Sequence, residues 1–252
     1  MLARLCEGRA EFRLAAIDGG SKDNAIPREC DCLLLPDSEA DAARILELAR
    51  AEAEAVGGEL AATEPDFRLD VEPAPVERVM SKEVTGELIA LLFLAPNGPQ
   101  SRNVQAGGFV VSSLNLGVVR TEPDRVALTF APRSSAASRM DEIRRQLRML
   151  AGRLHFVMEV TSEYPGWSYA EHSPIREVFR ECYREQTGRE LRCEAIHAGL
   201  ECGLFAEKLP GLDAIAIGPN VKDVHTPAET LDLASFARTY DLLTRVLARL
   251  AE

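Results

Sequence analysis

Leu35-Pro36-Asp37-Ser38 and Ala131-Pro132-Arg133-Ser134 are two stretches of one design, and they decide the fold. Each closes a strand-like run on a proline and opens a helix on a hydroxyl residue. Before the first, Phe12, Leu14 and Ala16 alternate with Arg13 and Ala15, which predicts a strand ending at Asp18-Gly19-Gly20. Ser21 to Asn24 form a polar turn, and Ile26 to Leu35 make a second strand. Pro27 falls near its start, where a missing N–H is tolerated. Asp37 or Ser38 caps a helix with Asp41 as the capping-box carboxylate. That helix runs through Ala42, Ile45, Leu46 and Leu48 and is expected to stop at Gly57-Gly58. A strand from Glu59 to Val71 follows, and residues 1–8 read as a short helix end.

The second stretch has the same surroundings. After a Pro-containing link at 72–75, an apolar helix covers Val79 to Leu94. Strands are expected at Phe109–Val119 and Arg125–Ala131, a helix from Ser134 or Ser135 to Ala151, and a strand from Leu154 to Thr161. Both halves thus read helix, strand, strand, helix, strand, a doubled ferredoxin-like α+β unit. Its natural packing is an antiparallel sheet with helices on one face.

Beyond residue 161 the pattern changes. Tyr164-Pro165-Gly166-Trp167 is a turn, and Pro174 opens a helix with Ile175, Val178, Phe179 and Cys182 on one face, ended by Gly188. Leu191–Ile196 reads as a strand, Leu200–Lys208 as a helix, Leu212–Ile217 as a near-continuous buried strand, and Leu231–Leu250 as the closing helix. Two strands and three helices make a thin, incomplete α/β layer. The division expected is 1–161 and 162–252.

Composition narrows the function. The 252 residues carry a net charge of −11, which argues against phosphate backbones and anionic lipid as partners. Aromatics at 6% supply no stacking platform for bases. Nine acids against two bases between Asp37 and Asp66 read as a solvated helix face. No apolar run has the length that spans a bilayer. Six cysteines lack a CxxC pair; Cys30 and Cys32 share one strand face and read as plain thiols more readily than as metal ligands. The expectation is a reduced, cytoplasmic protein without a leader.

The candidate chemistry lies in loops. His225 follows the strand Leu212–Ile217, at the carboxyl end where α/β sheets bind ligands. His197 opens His197-Ala198-Gly199-Leu200-Glu201-Cys202-Gly203, whose glycines allow backbone to approach a ligand; an ordinary turn is the plain alternative. Read alone, Arg133 is a solvated charge and Asn24 an Asx-turn residue.

Five segments together resemble a known family: Asn24-Ala25-Ile26-Pro27-Arg28-Glu29, Ser113 to Val119, Tyr164 to Trp167, His197 to Phe205, and Ile217-Gly218-Pro219 followed by His225. They are similar to the aminoacyl-histidine dipeptidases, the carnosinase-like members of the M20 metallopeptidase clan. The resemblance implies a two-zinc exopeptidase, with manganese or cobalt able to share the ligands. It implies a lid at 1–161 inserted in a catalytic domain that ends with 162–252. His225 then matches the last zinc ligand. Asn24 and Arg133 match lid residues that hold the substrate's backbone and carboxylate, and His197 and Glu201 join them in substrate binding. Arg suits a carboxylate because its planar fork donates two hydrogen bonds.

The departures are as informative. The family's His-x-Asp pair, Glu-Glu pair and further Asp, which hold both metals and supply the general base, have no match here. Where the family reads His-Ser-Pro-Asp, this chain reads His225-Thr226-Pro227-Ala228. The expectation is therefore the C-terminal fragment of a dipeptidase for substrates such as β-Ala-His, inactive alone. Its partner would be the missing N-terminal half or a second copy. The alternative is a non-catalytic remnant that binds peptide or a partner chain.

Overall fold

The structure is a computed structural model that describes residues 1–104, 108–163, 165–167, 170–194, 201–224 and 228–251, with Phe109 described for its backbone only. Its first half begins with α1 (Leu2–Glu7), β1 (Phe12–Gly19), β2 (Cys30–Pro36) and α2 (Glu39–Leu60). β1 and β2 pair antiparallel from Phe12↔Pro36 to Gly19↔Cys30, and the register shifts between Leu14 and Ala16. That bulge changes the phase of the strand. Phe12 and Leu14 are buried before it and Ile17 after it, so Ile17 takes the inward place that simple alternation gave to Ala16. The Leu14 N–H instead donates to Thr85 Oγ1 at 3.1 Å, which keeps a buried donor satisfied.

The next elements are α3 (Lys82–Leu94), β3 (Gly98–Asn103), β4 (Phe109–Thr121), β5 (Val126–Ser134) and α4 (Ala137–Arg153). One sheet runs β2-β1-β4-β3, with β5 also paired to β4. Leu5, Phe12, Leu14, Ile17, Ile45, Leu88, Ile89 and Val119 form the main core. Leu114, Ile143 and Leu147 form a second cluster between β4 and α4. The start of α2 follows the expected chemistry, with Ser38 Oγ accepting the Asp41 N–H, whereas α3 starts at Lys82 rather than Val79, with Ser81 Oγ accepting the Val84 N–H, and α4 starts at Ala137 rather than Ser134 or Ser135.

Several expectations change. α2 runs through Gly57-Gly58 to Leu60, because its C-cap is Ala61 in right-handed geometry and the glycines stay inside the helix. No strand forms over 59–71. Glu59 and Leu60 end α2, Thr63 and Glu64 donate back to the Leu60 carbonyl, and Pro65 and the acids around it offer no ladder. Residues 154–161 likewise carry no ladder, although Phe156 and Met158 pack on the two clusters. β2 begins at Cys30, leaving Ile26 exposed in the loop. β3 was not anticipated, since Gly98-Pro99-Gln100-Ser101-Arg102-Asn103 has no apolar alternation and is placed by pairing with β4.

The C-terminal elements are α5 (Pro174–Thr187), α6 (Glu201–Lys208), the two-residue strands β6 (Val221–Lys222) and β7 (Thr230–Leu231), and α7 (Leu233–Leu250). Phe179 and Cys182 of α5 pack on Leu242 and Val246 of α7. Gly188 caps α5 at φ 69°, the left-handed geometry glycine accepts without cost. The expected strand at 212–217 is not formed, and Leu212 and Ile217 are exposed while Ile215 packs on the α5–α7 cluster. A buried parallel strand exists only through neighbours that complete its ladder. Residues 191–194 also form no strand, and the rest of that expectation lies outside the described residues. Among the described residues no helix is long and apolar enough to cross a membrane.

By contacts the chain forms two compact units. Unit 1 holds residues 1–102, 112–132 and 138–161; unit 2 holds 103–111, 133–137 and 162–252.

In unit 1, His155 Nδ1 lies 2.5 Å from Glu87 Oε1. The hydrogen bond and then the charge of Glu87 raise the His155 pKa. A raised folded-state pKa stabilises fully below the unfolded value, about 6.5, and the gain is lost as pH rises through the folded value. His155→Ala should therefore lower the melting temperature at pH 5.5 and leave it nearly unchanged at pH 8.5. An equal drop at both pH values would show that the pair does not depend on imidazolium charge.

Candidate functional site

Asn24 lies in unit 1, on an exposed turn between β1 and β2 where the Ala25 N–H donates to the Lys22 carbonyl. The turn rests on β4. Gly20 has φ +70°, and a Cβ there would lie 1.9 Å from the Gly117 carbonyl oxygen. A Cβ on Gly117 would lie 2.4 Å from the Asp23 carbonyl oxygen. Two glycines thus let two backbones touch directly under Asn24.

Arg133 lies in unit 2, half-buried near the end of β5. Its neighbours are fixed locally: Ser135 N–H donates to the Val111 carbonyl, and Ser134 Oγ accepts from Ala136 N–H at 3.0 Å. Gly166 packs on this corner so closely that a Cβ would sit 2.9 Å from the Ser134 carbonyl oxygen. Gly203 of α6 packs in turn on the Pro165 carbonyl, 2.7 Å from its own would-be Cβ. The corner after Arg133, the Pro165–Trp167 segment and the helix that includes Glu201 are therefore contiguous. Glu201 is exposed in the first turn of α6, where the helix dipole favours a carboxylate. At Gly203 protein backbone comes close, and that packing leaves no room for a side chain.

A buried arginine supports the same region. Arg176, 8% exposed, donates to the carbonyls of Ala170 (2.8 Å) and Glu171 (2.7 Å). Asp213 accepts from Ser173 Oγ at 2.6 Å and from Ile175 N–H at 2.9 Å, tying the start of α5 to the segment before β6. Sequence reasoning passed over Arg176 and Asp213. The signal available was the Ser173-Pro174 helix start, whose free N–H groups need an acceptor.

His197 and His225 lie outside the described residues, as does Tyr164 of the turn. Among the described residues no group of three or more His, Cys, Asp or Glu could hold a metal. The Cys30–Cys32 pair is no exception. Burial, helped by Cys30, pushes the Cys32 thiol up to about 12, and burial also raises Cys30. The pair supplies two sulfurs, and among the described residues no third ligand stands beside them. The described part of this chain does not fit a two-metal centre by itself. One surface hollow is lined by Arg13, Asp37 and Lys82, among others; Lys82 bridges Asp37 and Glu11 there, and none of the described candidate residues takes part.

The pattern of peptidase family M20/M25/M40 matches residues 21–249. The cytosol non-specific dipeptidase of Escherichia coli (strain K12) is 32% identical over 252 residues, 98% of this chain and 52% of that protein. The crystal structure of aminoacylhistidine dipeptidase from Vibrio alginolyticus matches with a TM-score of 0.83 at 30% identity, over 99% of this chain and 52% of that one. The chain spans about half the length of these relatives.

Proposed function

The chain belongs to peptidase family M20/M25/M40, and from that premise we propose that it is the substrate-gripping half of a dipeptidase. In this reading 1–161 is the lid and 162–252 the end of the catalytic domain. Arg133 takes the substrate carboxylate and Asn24 its backbone, His197 and Glu201 complete the grip, and His225 is the last ligand of a zinc site. The other ligands and the general base come from a segment equivalent to the half of the relatives that this chain does not cover. Zinc is the metal proposed, with manganese or cobalt as substitutes, and a cytoplasmic location is carried over with it.

The observation that supports the reading most is the pair of glycine contacts in unit 2. Gly166 and Gly203 bring the Arg133 corner and the Glu201 helix onto one segment, Pro165–Trp167, so two residues 68 positions apart in the chain share a neighbourhood. The two relatives differ in the specificities their names carry, non-specific and aminoacylhistidine. We assign Xaa-His dipeptides, such as β-Ala-His, as the substrate class. A binding module without catalysis is the second reading, favoured by the lack of a metal-holding cluster among the described residues.

The test is β-Ala-His hydrolysis by this chain assembled with the complementary half, meaning the part of the Escherichia coli dipeptidase outside the match. Arg133→Ala should raise KM about 30-fold or more, since a charged hydrogen-bonded pair is lost. Arg133→Lys should fall between, keeping the charge and losing the fork. An unchanged KM would place the substrate carboxylate elsewhere. No hydrolysis by the unsubstituted assembly would favour the binding module.

A further inference from the structure

Asn115 stands half-buried in β4. Its side-chain nitrogen carries two hydrogens, and both are given to the Asn24 turn. One bond runs to the Asp23 carbonyl at 2.7 Å and the other to the Ala25 carbonyl at 2.8 Å. Between those two anchored carbonyls sits Asn24, exposed. Two other β4 residues hold the same loop. Gly117 lies against the Asp23 backbone without room for a side chain, and Arg120 donates to the Gly20 carbonyl at 2.6 Å. An exposed polar loop is ordinarily among the least constrained parts of a fold. This one is fastened from three positions on one strand.

We infer that Asn115 is a positioning residue: it clamps the main chain on both sides of Asn24 and so presents that side chain in one fixed orientation before any ligand arrives. The ligand, a dipeptide, rests on the dipeptidase reading; the clamp rests on geometry alone. The chemistry demands an amide at this position. A carboxylate would set its oxygens against two carbonyl oxygens, alanine would leave both carbonyls to water, and glutamine would bring the same amide on a longer stem.

Two measurements test it, on the full chain and on the chain assembled with the complementary half. Hydrogen exchange over residues 21–26 should quicken about tenfold in Asn115→Ala, the scale of one to two net hydrogen bonds. Asn115→Asp should quicken it further and Asn115→Gln less, while exchange in α2 stays as it was. KM for β-Ala-His should follow the same order, with kcat changing less. Unchanged exchange in Asn115→Asp would overturn the clamp. Faster exchange with an unchanged KM would overturn the presentation of Asn24 to substrate while the dipeptidase reading stands. If the unsubstituted assembly fails to hydrolyse the dipeptide, the dipeptidase reading falls, and exchange still decides the clamp.

Discussion

Supplied with zinc but no other polypeptide, the chain is expected to leave β-Ala-His uncleaved, and to cleave it once the complementary half is added. A catalytic zinc takes three protein ligands and keeps a position open for water. Two such ions need more. Of the four histidines, His155 is engaged by Glu87, and His172 belongs to no metal-holding group among the described residues. His197 and His225 lie outside the described residues, two imidazoles alone cannot complete two coordination shells, and the proposed reading takes the remaining carboxylate and histidine ligands from the complementary half. A second apolar face points the same way. Leu233, Phe236, Tyr240, Leu247 and Leu250 of α7 are exposed at spacings of three, four, seven and three, apart from the face that Leu242 and Val246 bury. Exposed apolar stripes mark contacts, and the complementary half is the occupant we expect there, since the relatives are about twice as long. Assays of each half and of the mixture decide the matter. Zinc-dependent hydrolysis by this chain alone would mean that it completes a metal site with residues the argument has missed.

How much of this was legible in the sequence depends on where each element gets its stability. Helices with local signals were readable: Ser38 accepts the backbone N–H three residues on at the start of α2, Pro174 opens α5 and Gly188 closes it. β1, β4 and β5 were readable because alternation marks a half-buried strand. The failures were elements whose state is decided by partners. β3 has no pattern of its own and is held by β4, whereas Leu212–Ile217 has the pattern and lacks the ladder. Asn24 and Arg133 became candidates only by resemblance, since a lone Arg or Asn carries no signal in one sequence, whereas His197 and His225 were singled out by their loops. What positions them stayed hidden for a different reason. Gly117, Gly166 and Gly203 act through backbone contacts between distant segments, and no local spacing encodes those.

Those contacts carry the second large effect, a pair of glycine substitutions with opposite signs. Gly20→Ala is expected to destabilise unit 1 by about 3 kcal/mol, combining the left-handed backbone cost for a residue with Cβ and an overpacked contact. At about 2–4 °C per kcal/mol for a chain of this size, the melting temperature should fall by roughly 10 °C. The atom in the way is the Gly117 carbonyl oxygen, 1.9 Å from the new methyl, and a backbone carbonyl cannot swing aside as a flexible side chain could. Retreat of β4 would also pull on the Gly19↔Val119 pair and on the Arg120 bond to Gly20. Gly86→Ala is the counterpart. Gly86 is exposed in the middle of α3, and a Cβ there meets nothing within 4 Å. Alanine should stabilise it by about 0.5–1 kcal/mol through helix propensity. Differential scanning calorimetry of both variants separates the cases. Equal effects would mean that the glycines report composition alone; opposite signs would tie the Gly20 cost to the backbone contact beneath Asn24.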